Sequence, residues 1–265
     1  EITWLRDRSI GSTWKAQFLA GGPGRLAAHA ATVVGAKGPC FTYTTACTST
    51  AVGVVMAARM IRQGRIRRAI VLGLDVLMKM SLEGFKLLQL RSKGDCRPFD
   101  RDRDGLQIGE ASAAVLLEAG ESRYQVLDGS IRHDPGHIAA GSTDGKTGAA
   151  VMAEALRRSG IRADQVTAIK AHGTGTVTND LTELRALALA FGGKPPPFIS
   201  LKSTFGHTLG ASTALELVAW LWCLDEGFLP GTWGFRTPEP ELGFSPEVEP
   251  RPTAVTRAAS SGERR

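Results

Sequence analysis

The chain of 265 residues is 43% hydrophobic and 22% charged, the balance of a globular protein able to bury a sizeable core. Its net charge of +6 and pI near 9.4 suit an acidic partner, yet the basic residues alternate with acids and carry no interleaved aromatics, which argues against a nucleic-acid surface. Cys40, Cys47, Cys96 and Cys223 show neither CxxC spacing nor the density of a disulfide scaffold, so a reducing compartment is expected. The opening shows no charged-then-apolar leader, and the longest apolar run, Leu215 to Leu224, contains Glu216 and is too short to span a bilayer. A cytoplasmic protein outside the membrane is expected. Because Glu1 stands first and the pattern is already under way, a fragment or a processed chain is expected as well.

In chain order, two glycine-rich breaks, Gly21 to Gly24 and Gly35 to Gly38, flank a helical stretch from Arg25 to Val34. A run of β-formers from Phe41 to Thr45 then reaches Cys47 and switches without a polar loop into an apolar helix, Ala51 to Met60. Cys47 therefore sits on a strand-to-helix turn. There the helix dipole and unpaired N–H groups favour the thiolate, although a lone cysteine also packs well as a small hydrophobe. After the basic turn Arg62 to Arg68 comes a strand, Ala69 to Leu74, which predicts a βαβ unit with a right-handed crossover.

A helix over Leu82 to Leu90 leads to the charged loop Cys96 to Gly105. Arginines at the intervening positions argue for structural ion pairing there and against a calcium loop. The strand Ala113 to Glu118 ends the first series. The second series predicts a strand at Tyr124 to Leu127, a glycine-rich loop at Gly141 to Gly145, a helix at Ala149 to Ser159 and a strand at Val166 to Ala171. A helix opening on Asp180-Leu181-Thr182-Glu183 as a capping-box variant follows, then the strand Phe198 to Leu201 and the helix Ala211 to Asp225. The two series share a rhythm without a legible residue repeat, which suggests a duplicated α/β architecture. From Leu229 onward prolines crowd an expected extended tail that frays to disorder.

Cys47, His172 and His207 each fall at the C-terminal end of an expected strand, the edge where α/β sheets gather ligands. Either histidine alone could be a satisfied core imidazole. Together these stretches resemble the β-ketoacyl-acyl-carrier-protein synthases, condensing enzymes of thiolase-like fold. Thr45-Ala46-Cys47-Thr48-Ser49 is similar to their nucleophile turn, and Cys96-Arg97-Pro98-Phe99-Asp100 with Asp104-Gly105 and Gly109-Glu110 to their central loop. His172-Gly173-Thr174-Gly175-Thr176 with Asn179, Asp180 and Glu183 resembles their first histidine loop, and Lys202-Ser203 with Gly206-His207-Thr208 and Glu216 their second. The match covers about Gly38 to Pro230.

The resemblance implies a thiolase-like, duplicated α-β-α-β-α layered fold, incomplete in this chain. It implies a first half at 1–122 with the nucleophile, a second at 123–230 with both histidines, and a Pro-rich tail at 231–265. Cys47 would accept an acyl group from a carrier-protein thioester. His172 and His207 would hold the malonyl thioester carbonyl as carbon dioxide leaves. Lys202 is expected to pair with Glu183, Glu216 to be structural as an acid on a core helix that faces Lys202 and pairs with its charge, and Phe85 to line the acyl pocket. No cofactor and no metal are implied. The partners would be acyl carrier protein, acyl and malonyl thioesters, and a second subunit in a homodimer or heterodimer. Two departures stand out: the family carries more elements before its nucleophile than precede Cys47 here, and no Gly-Phe-Gly-Gly loop follows Pro230. The competing readings are a truncated or chain-length-factor-like homologue that only binds carrier protein or a sister subunit, and a cysteine hydrolase.

Overall fold

The computed structural model describes residues 22–133, 143–241 and 243–253. Contacts divide the chain into two compact units, Glu1–Thr44 and Thr45–Arg265. In the first, Pro23 opens helix α1 (Pro23–Val33), where its fixed φ and missing N–H are no handicap. The stretch from Phe41 toward Thr45, expected to be a strand, carries no ladder among the described residues. Its β-formers supply propensity, but a strand also needs a neighbour to take its backbone groups.

The second unit runs from a single 3₁₀ turn, Ala46–Thr48, into α2 (Ser49–Arg62), β1 (Arg68–Asp75), α3 (Lys79–Leu87), β2 (Ala111–Glu118), α4 (Lys146–Ser159), β3 (Ile169–Lys170) and α5 (Val177–Ala190). It continues through β4 (Phe198–Ile199), the one-turn α6 (Lys202–Phe205), a 3₁₀ turn at Leu209–Ala211, α7 (Ser212–Asp225), β5 (Phe228–Leu229) and β6 (Arg251–Pro252). β1 and β2 pair antiparallel, Ile70 opposite Leu116 and Leu72 opposite Ala114. The βαβ unit expected around α2 is not formed among the described residues: no strand precedes α2 there, and β1 pairs with β2. One face of this pair packs on α2 and α7, with Val71 joined to Val54 and Ala57. The opposite face leaves Ile70, Leu72, Leu74 and Leu116 exposed.

The second sheet is parallel, with β3 beside β4 and α5 as the crossover, and α4 packs on α5. Phe99, Leu184, Leu187, Phe198 and Phe235 form its core, and the rings of Phe99 and Phe198 meet edge to face at 5.3 Å. Tyr124 to Leu127, expected to be a strand, carries no ladder among the described residues; the Tyr124 hydroxyl donates instead to Asp225 at the end of α7, at 2.6 Å. Asp180 corrects the expected capping box. Helix α5 begins earlier, at Val177, and buried Asp180 takes the N–H groups of Phe99, Thr174 and Gly175 at 2.8, 2.9 and 3.0 Å.

The stretch after Pro230 is packed where it is described. Thr232 and Phe235 are buried, β6 pairs with β5, and the N–H groups of Arg236 and Thr237 donate to Asp100. Prolines forbid a long ladder, and side-chain acceptors take its place. The glycine-rich loop's Gly141 and Ser142 and the final stretch 254–265 lie outside the described residues.

Candidate active site

Cys47 is carried by a turn held from within. The Thr48 hydroxyl donates to Thr45 O at 2.8 Å, the Thr45 N–H to Ser49 Oγ at 2.9 Å, and the Ser49 hydroxyl to Ala46 O at 2.7 Å. Ala46 has φ 51°, a left-handed conformation that costs a non-glycine residue about 1–3 kcal/mol and that turns the chain sharply at Cys47. His172 leaves β3, and Glu183 of α5 accepts its backbone N–H and that of Gly173 at 2.6 and 2.8 Å. His207 follows α6, with its N–H donated to Gln107 O at 2.6 Å and its carbonyl accepting Gly109 N–H at 3.1 Å. Leu209, at φ 47°, repeats the strained turn of Ala46.

These elements bring three reactive groups together. Cys47 Sγ lies 2.9 Å from His207 Nε2, the two imidazoles meet edge to face at 5.3 Å, and donor atoms of Cys47, His172 and His207 all fall within 4.8 Å of one another. Such a trio has the composition of a metal site, but the Leu209 N–H donates to His207 Nδ1 at 3.2 Å. That nitrogen must carry the lone pair, so the neutral ring holds its proton on Nε2, facing Cys47. The arrangement thus fits hydrogen donation better than metal ligation.

Of the two pairings expected of Lys202, one is formed. Lys202 binds Glu216 and not Glu183; Glu216, on α7, also takes Lys170, while Glu183 is committed to backbone N–H groups. The side chains of Lys202 and Glu216 are each 1% exposed, so removing either partner would strand a buried charge. Burial, then the Lys202 charge, pushes His207 down to about 3, and the same causes hold His172 well below its ordinary value. Both imidazoles are neutral near pH 7.

Cys47 also departs from expectation. Burial raises its thiol above the ordinary value, and the Lys202 charge and a backbone hydrogen bond only partly offset this. The thiolate that the helix start was expected to favour is therefore not stabilised in the resting site. Phe85, expected in the acyl pocket, stands half-buried on α3. The charged loop is built as a hydrogen-bonded knot: buried Asp100 accepts the N–H of Asp102, and buried Arg103 donates to Asp100 O, Thr176 O and Val177 O and pairs with Glu239.

Three contributors escaped sequence reasoning. Lys170 closes β3 two residues before His172, a spacing that could have shown it. Asp75 closes β1 and accepts Gly210 N–H at 3.0 Å, and Ser212 lies 3.0 Å from His207 Nδ1; neither carries a motif.

Comparison with known proteins decides the family. A model described as Beta-ketoacyl synthase, N-terminal domain, matches residues 7–122, and one described as Beta-ketoacyl synthase, C-terminal domain, matches 124–236. The chain belongs to the β-ketoacyl synthase family. Nodulation protein E of Rhizobium meliloti is 31% identical over 252 residues, covering 90% of this chain and 62% of the relative. The 3-oxoacyl-[acyl-carrier-protein] synthase 2 of a Synechocystis strain is 34% identical over 225 residues, covering 78% and 54%. The chain thus spans about three-fifths or less of the length of these relatives.

Among solved structures, a chain of the complex of ketosynthase ApeO with its chain length factor ApeC from Xenorhabdus doucetiae gives a TM-score of 0.81 at 32% identity, covering 87% of this chain and 58% of that one. The ishigamide ketosynthase/chain length factor gives 0.81 at 29%, covering 87% and 59%. The β-ketoacyl synthase chain accordingly has the thiolase-like α/β fold of ketosynthases.

Proposed function

We propose that the protein performs decarboxylative Claisen condensation, extending an acyl chain by two carbons in fatty acid, aryl polyene or polyketide synthesis. The observation that carries this reading is the thiol of Cys47 at 2.9 Å from the Nε2 of a neutral His207, with His172 beside both. In the first half-reaction Cys47 Sγ attacks the thioester carbon of an acyl-carrier protein, and the departing carrier sulfur takes the thiol proton. In the second, malonyl-carrier protein loses carbon dioxide, and the electron pair of the broken C–C bond forms an enolate. Nε2–H of His207, together with His172, donates to that oxygen. The carbanion attacks the acyl-Cys47 carbonyl and expels Sγ as a thiolate, which then recovers a proton. Lys202 supports the site through its charge, fixed by Glu216, while Glu183 holds the His172 loop. Phe85 lines the acyl pocket in this reading.

The carrier is acidic, and Arg65, Arg67 and Arg68 form an exposed basic edge for it; Arg62 is committed to Asp128. We place the protein in the cytoplasm as one chain of a homodimer or heterodimer, with Pro39 to Thr45 pairing across the two-fold axis. The occurrence of ketosynthases with chain length factors among the solved relatives supports a two-chain assembly. Among the described residues no helix is long and apolar enough to cross a membrane.

The test is separation of half-reactions. His172→Ala and His207→Ala should still accept an acyl group from acyl-carrier protein while losing malonyl decarboxylation by about a hundredfold, the scale of one oxyanion donor. Loss of acylation with decarboxylation intact would reverse the assigned roles. Absence of both in the unaltered protein, with carrier binding retained, would favour a non-catalytic homologue.

A further inference from the structure

The hydroxyl of Ser212 is placed where it can choose the tautomer of His207. Ser212 is the first residue of α7, is 2% exposed, and has its Oγ 3.0 Å from His207 Nδ1. The Thr208 hydroxyl donates to that Oγ at 3.2 Å, so the single Ser212 proton is left for another acceptor. The backbone supplies the direction, because Leu209 N–H already points at Nδ1 from 3.2 Å. A second N–H on Nδ1 would face that donor head-on, whereas a lone pair there accepts from both.

We propose that Ser212 is a positioning residue that donates to Nδ1 of His207 and so holds the ring proton on Nε2, facing Cys47. The relay runs from the Thr208 hydroxyl to Ser212 Oγ, to Nδ1, and out through Nε2–H to the position where the sulfur, and in the condensation the thioester oxygen, would accept. This inference deepens the proposed function and rests on it for the identity of the acceptor; the tautomer itself stands on geometry alone. The corresponding serine of the nucleophile turn, Ser49, spends its proton on Ala46 O and serves only its own turn. At the second turn the same residue type serves the site.

The ring is faced by Cys47, by His172 and by the cations Lys202 and Lys170, all of which remain in a Ser212 variant, so changes in that variant report the hydroxyl. The experiment is 15N NMR on protein labelled at histidine, which contains five histidines, with His207 assigned by its loss in His207→Gln. The unaltered protein should show His207 as the Nε2–H tautomer. Ser212→Ala should lower the preference for that tautomer about three- to tenfold, since one donor to Nδ1 remains and a typical hydrogen bond is lost. Its protonation midpoint should rise by roughly half to one pH unit, because donation to the lone pair favours the neutral ring. Ser212→Thr, which keeps the hydroxyl, should restore both values, and circular dichroism confirms that each variant is folded. An unchanged tautomer ratio and midpoint in folded Ser212→Ala would overturn the proposal, as would an Nδ1–H tautomer in the unaltered protein. Neither readout requires turnover, so a failed condensation assay would leave this inference standing or falling on its own.

Discussion

Two turns face each other across the site, and they are built on one plan. Thr45-Ala46-Cys47-Thr48-Ser49 and Thr208-Leu209-Gly210-Ala211-Ser212 each pass from a threonine through a non-glycine residue at positive φ, 51° and 47°, into a 3₁₀ turn. Each closes on a serine at φ −50° that opens a helix of 14 residues. The third place separates them. Cys47 offers a thiol there, whereas Gly210 offers only backbone, its N–H bound by Asp75 and its carbonyl by the Thr50 hydroxyl. The helices differ too: four residues beyond Ser49 stands buried Gly53, and four beyond Ser212 stands Glu216 with its two lysines. The nucleophile turn is thus set by sterics and local hydrogen bonds, and the electrostatics of the site come from Lys202 and Lys170, which Glu216 of the other helix holds. A strained backbone device has been used twice, once to present a nucleophile and once to stage the imidazole that meets it.

The largest effect should come from removing the charge that distinguishes the second helix. Glu216→Ala leaves Lys202 and Lys170 without their carboxylate, and unfolding in urea should show a loss of about 3–5 kcal/mol. The equivalent place on α2 is already a glycine, so no matching cost exists on the nucleophile side. Gly73→Ala tests the contact of the two helices: its Cβ would lie 2.8 Å from Thr50 Oγ1 of α2 and 2.9 Å from Ala214 Cβ of α7. Thermal melts should register an overpacking cost of about 1–3 kcal/mol.

Acid should act on the histidine side. His207 is held at about 3 in the folded chain against 6.5 in its ordinary state, so the unfolded chain binds the extra proton between those values. Its contribution is complete above pH 6.5 and falls by about 1.4 kcal/mol for each unit as pH drops toward 3. In His207→Gln this part of the acid sensitivity should vanish. The smallest effect is Ala46→Gly, which relieves the left-handed conformation and should stabilise by about 1 kcal/mol or less, whereas Leu209→Gly should not gain because it also surrenders a partly buried side chain. Equal shifts for the two would show that the turns are not strained alike.

The reactive groups were legible in the sequence because each sits in a short local motif that ends at a reactive residue. Helices were legible for the same reason, and α2 and α7 follow their apolar runs to within about two residues. What depends on distant partners was not legible. Phe41 to Thr45 reads as a strand but carries no ladder among the described residues, and of the two carboxylates expected at Lys202 only Glu216 bonds it, while Glu183 turns to backbone N–H groups. The thiol of Cys47 shows the limit most clearly: local context promised a thiolate, and burial by the rest of the fold reversed the sign. The paired turns were invisible as a repeat, since they share only their threonine and serine, and only φ angles reveal the likeness.

The central claim is that Cys47 carries the acyl group, and mass spectrometry of the protein after incubation with acyl-carrier protein tests it most directly. The account predicts one acyl group per chain, found on the peptide containing Cys47, absent from those of Cys40, Cys96 and Cys223, and lost in Cys47→Ala. An acyl group on another cysteine, or acylation that survives Cys47→Ala, would contradict it.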